Sequence, residues 1–254
     1  MINLNNEINS IPSKNVKTVV EAAIAKVSPQ FFKAPASSTG KHHPAYAVTE
    51  GGLAKHTKAV VFFVQNLLEA YSIEDDYSKS LCIGAGILHD TCKSGVNWEY
   101  AFTRHEHPLL VKELLTEDEL AALPDGEKIW EDMNEIISSH MGKWNTAKNS
   151  SVVLPLPETP LQKLLHAADY LASRKQVSTI EGITDEGTPV STIRPVIFAS
   201  MKQKLLIGAL MGKAGRLKKD VSKYSFVDTE ALTAGQASIV IRELKELTGE
   251  VETA

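Results

Sequence analysis

The stretch LCIGAGILHDTCKSG, residues 81–95, constrains this chain more than any other. A run of apolar and small residues leads directly into His89 and Asp90, and Lys93 follows one helical turn later. Such a run reads as a helix that is apolar nearly all round, and a helix of that kind sits at the centre of a fold. An imidazole and a carboxylate at the end of a buried segment are costly without a partner, a metal or a reaction to serve. The rest of the chain must therefore supply helices to surround this one and polar groups to meet its end.

Helical periodicity does dominate. Residues 16–27 place Val16, Val19, Val20, Ala23 and Val27 on one face. Residues 53–71 and 77–92 read as strong helices, 107–115 as a short amphipathic one, and 125–140 as a helix capped by Asp125. Residues 160–175 open on Thr159 as cap and Pro160 in the first turn. The segment 28–52 is rich in Pro, Gly and Ser and reads as a long loop. The texture changes at 177–193, which is β-branched around an Asp-Glu-Gly turn and allows a small hairpin. Helices resume at 195–211 and 233–247, separated by the linker 212–228. The expectation is an all-α domain over 1–211, then a basic linker and a C-terminal helix over 212–254.

Composition excludes several classes. A net charge of −4 gives no global attraction to nucleic acid or to an anionic membrane. No stretch approaches the apolar length of a membrane span, and the polar N-terminus lacks a signal pattern. Two cysteines, Cys82 and Cys92, supply neither a disulfide framework nor a four-cysteine zinc site, and fit a reducing, cytoplasmic setting. There is no P-loop and no glycine-rich dinucleotide turn.

Four ionisable residues stand out. His56 lies in the first turns of the 53–71 helix, His89 and Asp90 end the central helix, and Asp169 sits among apolar residues in LLHAADYLAS. Nitrogen and oxygen donors of this kind suit a borderline or hard divalent metal such as Mn, Fe, Ni, Co, Zn or Mg. Neighbours on a helix diverge by about 100°. His89 and Asp90 can flank one ion only if His56 and Asp169 arrive from other helices, as in a bundle-core site.

GGLAKHT, HDTCK, HPLLVKELL, IISSHMG and TPLQKLLHAADYLASRK occur in an order that resembles the HD-domain phosphohydrolase superfamily, across roughly residues 30–175. The similarity is greatest to the branch of 3′–5′ exoribonucleases with a GGL-x-x-H-T helix, although there is no room before residue 30 for their OB domain. The resemblance implies a helical bundle in which His56, His89, Asp90 and Asp169 hold a metal. It adds His107 and His140 as ligands of a second ion bridged by Asp90, or as substrate contacts. Where two-metal branches often carry another histidine, this chain has Met141. His105 and His107 lie two apart, and the motif register favours His107. His166 reads as a hydrogen-bonding support, one turn from Asp169.

The implied chemistry is hydrolysis of a phosphodiester or phosphomonoester by metal-activated water, on a nucleotide or a single-stranded nucleic acid. Asp90 ligates and orients the water. Lys93, with His43 and Arg174, meets phosphate charge; the neighbouring His42 fits mere polar surface as well. Lys213, Arg216, Lys218, Lys219 and Lys223 add a basic tail suited to nucleic acid or to simple solvation. The alternative is a nucleotide-binding regulatory module of the same fold without turnover.

Overall fold

The computed structural model describes residues 2–37, 43–100, 102–177, 180, 200–221, 224 and 234–250. Its helices in chain order are α1 (Asn5–Asn9), α2 (Lys14–Lys26), α3 (Gly52–Ala70), α4 (Asp76–Leu88), α5 (His107–Leu110), α6 (Glu117–Ala121), α7 (Gly126–Ser138), α8 (Pro160–Ala172), α9 (Met201–Arg216) and α10 (Ala234–Thr248). No strand occurs among the described residues, so the all-α expectation holds there. The hairpin envisaged at 177–193 falls outside them, apart from positions 177 and 180, and so does His42.

The chain forms two units, Met1–Gly187 and Thr188–Ala254. In the first, α4 is the axis: α1, α2, α3, α7 and α8 all pack on it. Every residue of α4 from Ser80 to Leu88 is buried. Each fully buried leucine or isoleucine of that helix contributes about 1.5–3 kcal/mol by leaving water. Gly84 permits the closest approach, since a Cβ there would stand 2.9 Å from Val20 Cγ2 and 3.0 Å from Met133 Cε.

The start of α8 follows its sequence signal. Thr159 Oγ1 accepts from Gln162 N, and the Gln162 side chain returns to the Thr159 amide in a capping box. Asp125 departs from its expected role as cap of α7. It adopts a left-handed conformation (φ 54°) with no side-chain cap bond, and its carboxylate instead accepts from Asn15 Nδ2 at 3.0 Å. The expected 107–115 helix divides into α5 and a 3-10 turn, Val111–Leu114.

In the second unit, α9 pairs with α10 over Ile207, Leu210, Tyr224, Ala237 and Leu244. Helix α9 therefore keeps company with the C-terminal helix, and it continues to Arg216, so Lys213 and Arg216 are helical rather than linker residues. Lys213 forms an ion pair with Glu250.

Candidate metal centre

Five helices of the first unit deliver one polar cluster. His56 comes from the second turn of α3, which packs along α8 and so meets Asp169. His89 is the C-cap of α4 and Asp90 the residue after it. His107 opens α5, and His140 follows the C-cap of α7. All but Asp169 are buried, and its side chain is 22 % exposed.

Asp90 is the hub. Its Oδ2 faces one histidine pair, 3.6 Å from His89 Nε2 and 4.0 Å from His56 Nε2. Its Oδ1 faces the other, 3.0 Å from His107 Nε2 and 3.9 Å from His140 Nε2. Asp169 Oδ1 lies 3.0 Å from His56 Nε2 and 3.9 Å from His89 Nε2. Two donor groups result, His56–His89–Asp90 and Asp90–His107–His140, each within 4.8 Å. They share one carboxylate.

Three histidines are aimed by the same device. His89 Nδ1 donates to Gly86 O at 2.8 Å, His107 Nδ1 to Arg104 O at 2.7 Å and His140 Nδ1 to Ile137 O at 2.8 Å. Each carbonyl belongs to the residue three positions earlier. A carbonyl can only accept, so the ring proton sits on Nδ1 and the Nε2 lone pair turns inward. His56 differs: its Nδ1 is buried without a hydrogen bond.

The electrostatics favour the neutral form of His43, His89 and His140 and the charged form of both aspartates. Burial, reinforced by His89 and His107, pushes His140 down to about 3. Burial pushes His89 down as well. His43, whose ring lies 5.5 Å from that of His56, is lowered to about 4 by burial and by His56. Burial alone would raise Asp90, but the Lys93 ammonium, His89 and His107 outweigh it and hold the carboxyl well below its usual range. Asp169 is held down too, with its hydrogen bond to His56 overcoming burial. Neutral imidazoles around two carboxylates form a donor set that favours a divalent cation.

A cavity of about 370 Å³ opens onto this cluster, with Lys93, His43 and Arg174 on its lining. Lys93 Nζ contacts Asp90 Oδ2 at 2.6 Å. His105 turns away, its Nε2 3.2 Å from the carbonyls of both Asn145 and Val152. His166 supports the cluster from behind, donating from Nδ1 to His140 O at 2.7 Å. A larger cavity of about 540 Å³ between α4, α7 and α8 presents Glu74, Asp75, Asp132 and Glu135 but no histidine. The histidine–aspartate donor groups therefore lie at the smaller one. Burial pushes both cysteine thiols up to about 12, which disfavours the thiolate needed of a nucleophile at neutral pH. Sequence reasoning missed Trp144 and Tyr170 on the cavity lining; an aromatic in the polar segment MGKWNTAKN was the available signal.

Gly142 underlies the His166 support. It has φ +54°, and a Cβ there would come within 2.2 Å of His166 Cε1. Gly142→Ala combines left-handed strain with displacement of that ring. We expect a loss of about 1–3 kcal/mol of stability, read by thermal denaturation, together with weaker metal binding in a chelator-buffered titration as His140 loses its support.

The family model for the HD domain matches residues 53–174. HD domains bind divalent metals and are generally metal-dependent hydrolases. No curated protein matches the chain, and no solved structure does. The residues present fit a metal: His89 Nε2 is buried, faces Asp90 and has no hydrogen-bond partner, an arrangement that a cation would satisfy. Among the described residues, no helix is long and apolar enough to cross a membrane.

Proposed function

We propose that this chain is a metal-dependent phosphohydrolase that cleaves a phosphoester of a nucleotide or of a single-stranded nucleic acid. The observation that carries the reading is Asp90, buried at a cavity floor with one oxygen directed at each of two histidine pairs. His56, His89, Asp90 and Asp169 would hold one ion, and His107 and His140 would share Asp90 with a second. A bound divalent ion lowers the pKa of a coordinated water and polarises a phosphoryl oxygen.

The chain's own groups do the rest. Lys93 and Arg174 place positive charge on the cavity lining, where a phosphate would enter. His43, neutral at physiological pH, offers a hydrogen bond rather than a charge. Buried walls restrict bulk water, so these few charges act over a short, poorly screened range. The finer likeness to exoribonucleases rests on sequence motifs such as GGLAKHT. The second unit's cations fit an auxiliary contact to nucleic acid, with Lys213 already engaged by Glu250. A regulatory module without turnover would need no such complete donor set.

The test strips metal with a chelator and adds back Mn, Fe, Ni, Co, Zn or Mg singly. The substrates are bis-p-nitrophenyl phosphate, a nucleotide panel, and short single-stranded RNA and DNA. We expect one or two ions per chain and turnover that returns with metal. Bound metal with no turnover on any substrate would point to the regulatory module; failure to bind any ion would sink the metal centre.

A further inference from the structure

One wall of the cavity is not used by the phosphate chemistry. Trp144 closes the short 3-10 turn Gly142–Trp144 just after His140, and Tyr170 follows Asp169 on α8. Both line the cavity. Their rings lie nearly parallel, with centroids 5.9 Å apart and 16° between planes. Trp144 is 43 % exposed and Tyr170 37 %. Two large aromatic rings stacked on one another and left partly in water, beside a buried polar cluster, form an aromatic ledge whose outer Trp144 face a ligand could cover.

Cations flank this ledge. The Arg174 guanidinium carbon lies 4.1 Å from the Tyr170 ring centroid. Arg174 is tied down by Ser173 Oγ at 2.8 Å and by the Tyr170 carbonyl at 3.1 Å. Lys143 Nζ lies 4.8 Å from the Trp144 centroid. Lys143 is exposed, and an exposed cation–π contact is weak, so little holds this side chain over the ring face. The anchored Arg174 stays.

We infer that the ledge is a base-stacking subsite, taking the nucleobase of a nucleotide or of one unit of a single strand. For the position of the phosphate over the histidine–aspartate floor, this rests on the phosphohydrolase reading. The stacking itself does not. Aromatic rings hold bases through their π-faces, which every base presents and which a duplex keeps covered within its own stack. A cavity of about 370 Å³ is of a size for one nucleotide unit rather than a helix. The pairing of ledge and cations matches a ligand with a flat ring at one end and an anion at the other.

The experiment uses the full chain and tryptophan emission. Of its three tryptophans, Trp130 is buried and Trp98 donates to Thr91 O, which leaves Trp144 as the one on the cavity lining. The ligands are adenosine, adenosine monophosphate and ribose 5-phosphate, titrated under chelator and again with a divalent ion. We expect adenosine and its monophosphate to quench the emission and ribose 5-phosphate to leave it unchanged. By isothermal titration calorimetry, which needs no tryptophan reporter and is used for the variants as well, adenosine monophosphate should bind about tenfold or more tightly than ribose 5-phosphate. Trp144→Ala should erase that preference and Trp144→Phe should keep it.

A short single-stranded oligonucleotide that outcompetes the mononucleotide identifies a strand end as the source of the base, and equal affinity identifies a free nucleotide. Equal binding of the base-bearing and base-free phosphates would overturn the ledge, as would a Trp144→Ala protein that retains the preference. Because adenosine carries no phosphate, quenching by adenosine in a protein that hydrolyses nothing would sustain the ledge while removing the phosphohydrolase reading. Turnover without base preference would do the reverse.

Discussion

Asp90→Asn is expected to abolish metal-dependent turnover, by about a thousandfold or more, which corresponds to roughly 4 kcal/mol at the transition state. The substitution keeps the shape of the side chain and removes its charge. Both donor groups lose the residue they share, so bound metal per chain should fall at both positions together. His140→Ala should instead touch only the group that contains His140. A metal-content measurement on the two variants separates a shared hub from two independent sites.

The metal-free fold should feel the change as well. Lys93 Nζ contacts Asp90 Oδ2 at 2.6 Å with its side chain only 15 % exposed, and His107 lies 3.0 Å from the other oxygen. The folded state holds Asp90 in its charged form, so a neutral amide there lowers stability and leaves the largely buried ammonium without its nearest counter-charge. An Asp90→Asn protein with undiminished metal content and turnover would remove the cluster from the chemistry.

How far the molecule was legible before its structure depends on the range of each interaction. The central helix was readable because an all-round apolar run has only one comfortable place, and α4 occupies it. The start of α8 was readable because its capping box is local, spanning Thr159 to Gln162. The role of Asp125 was not, since its partner Asn15 is 110 positions away. The apolar stripe of α9 announces a buried face without saying which helix covers it, and that helix proved to be α10. At 107–115 an α-helix and a 3-10 turn bury nearly the same side chains, so pattern alone could not divide them.

The cluster itself followed the order of its motifs, because donor residues must be of particular types whatever surrounds them. Its aiming was invisible. That His89, His107 and His140 each use the carbonyl three residues back becomes apparent only when the helix ends are in place. The Trp144–Tyr170 stack was equally hidden, since it joins a turn to a helix with no shared motif.

The same buried histidines make the metal-free protein sensitive to acid. His140 is held down to about 3 and His43 to about 4, and His89 is also lowered. In the unfolded chain each would take up a proton near pH 6.5. Between those values the unfolded state binds more protons than the folded one, so stability rises with pH and falls as pH drops. Each histidine held neutral contributes up to about 1.4 kcal/mol per pH unit in that window. Asp90 and Asp169 act in the same direction further down, since carboxylates held below their usual range lose their stabilising contribution as they protonate. The melting temperature of the chelated protein should therefore decline steeply from about pH 6.5 towards pH 4.

His140→Gln, which cannot protonate, should flatten that slope whatever it does to the melting temperature at neutral pH. Metal should raise the melting temperature at pH 7 and lose this effect on acidification, because the ligating nitrogens must be unprotonated. A melting temperature that stayed level between pH 7 and pH 5, or a His140→Gln slope as steep as the parent's, would show that these imidazoles are not held neutral by the fold.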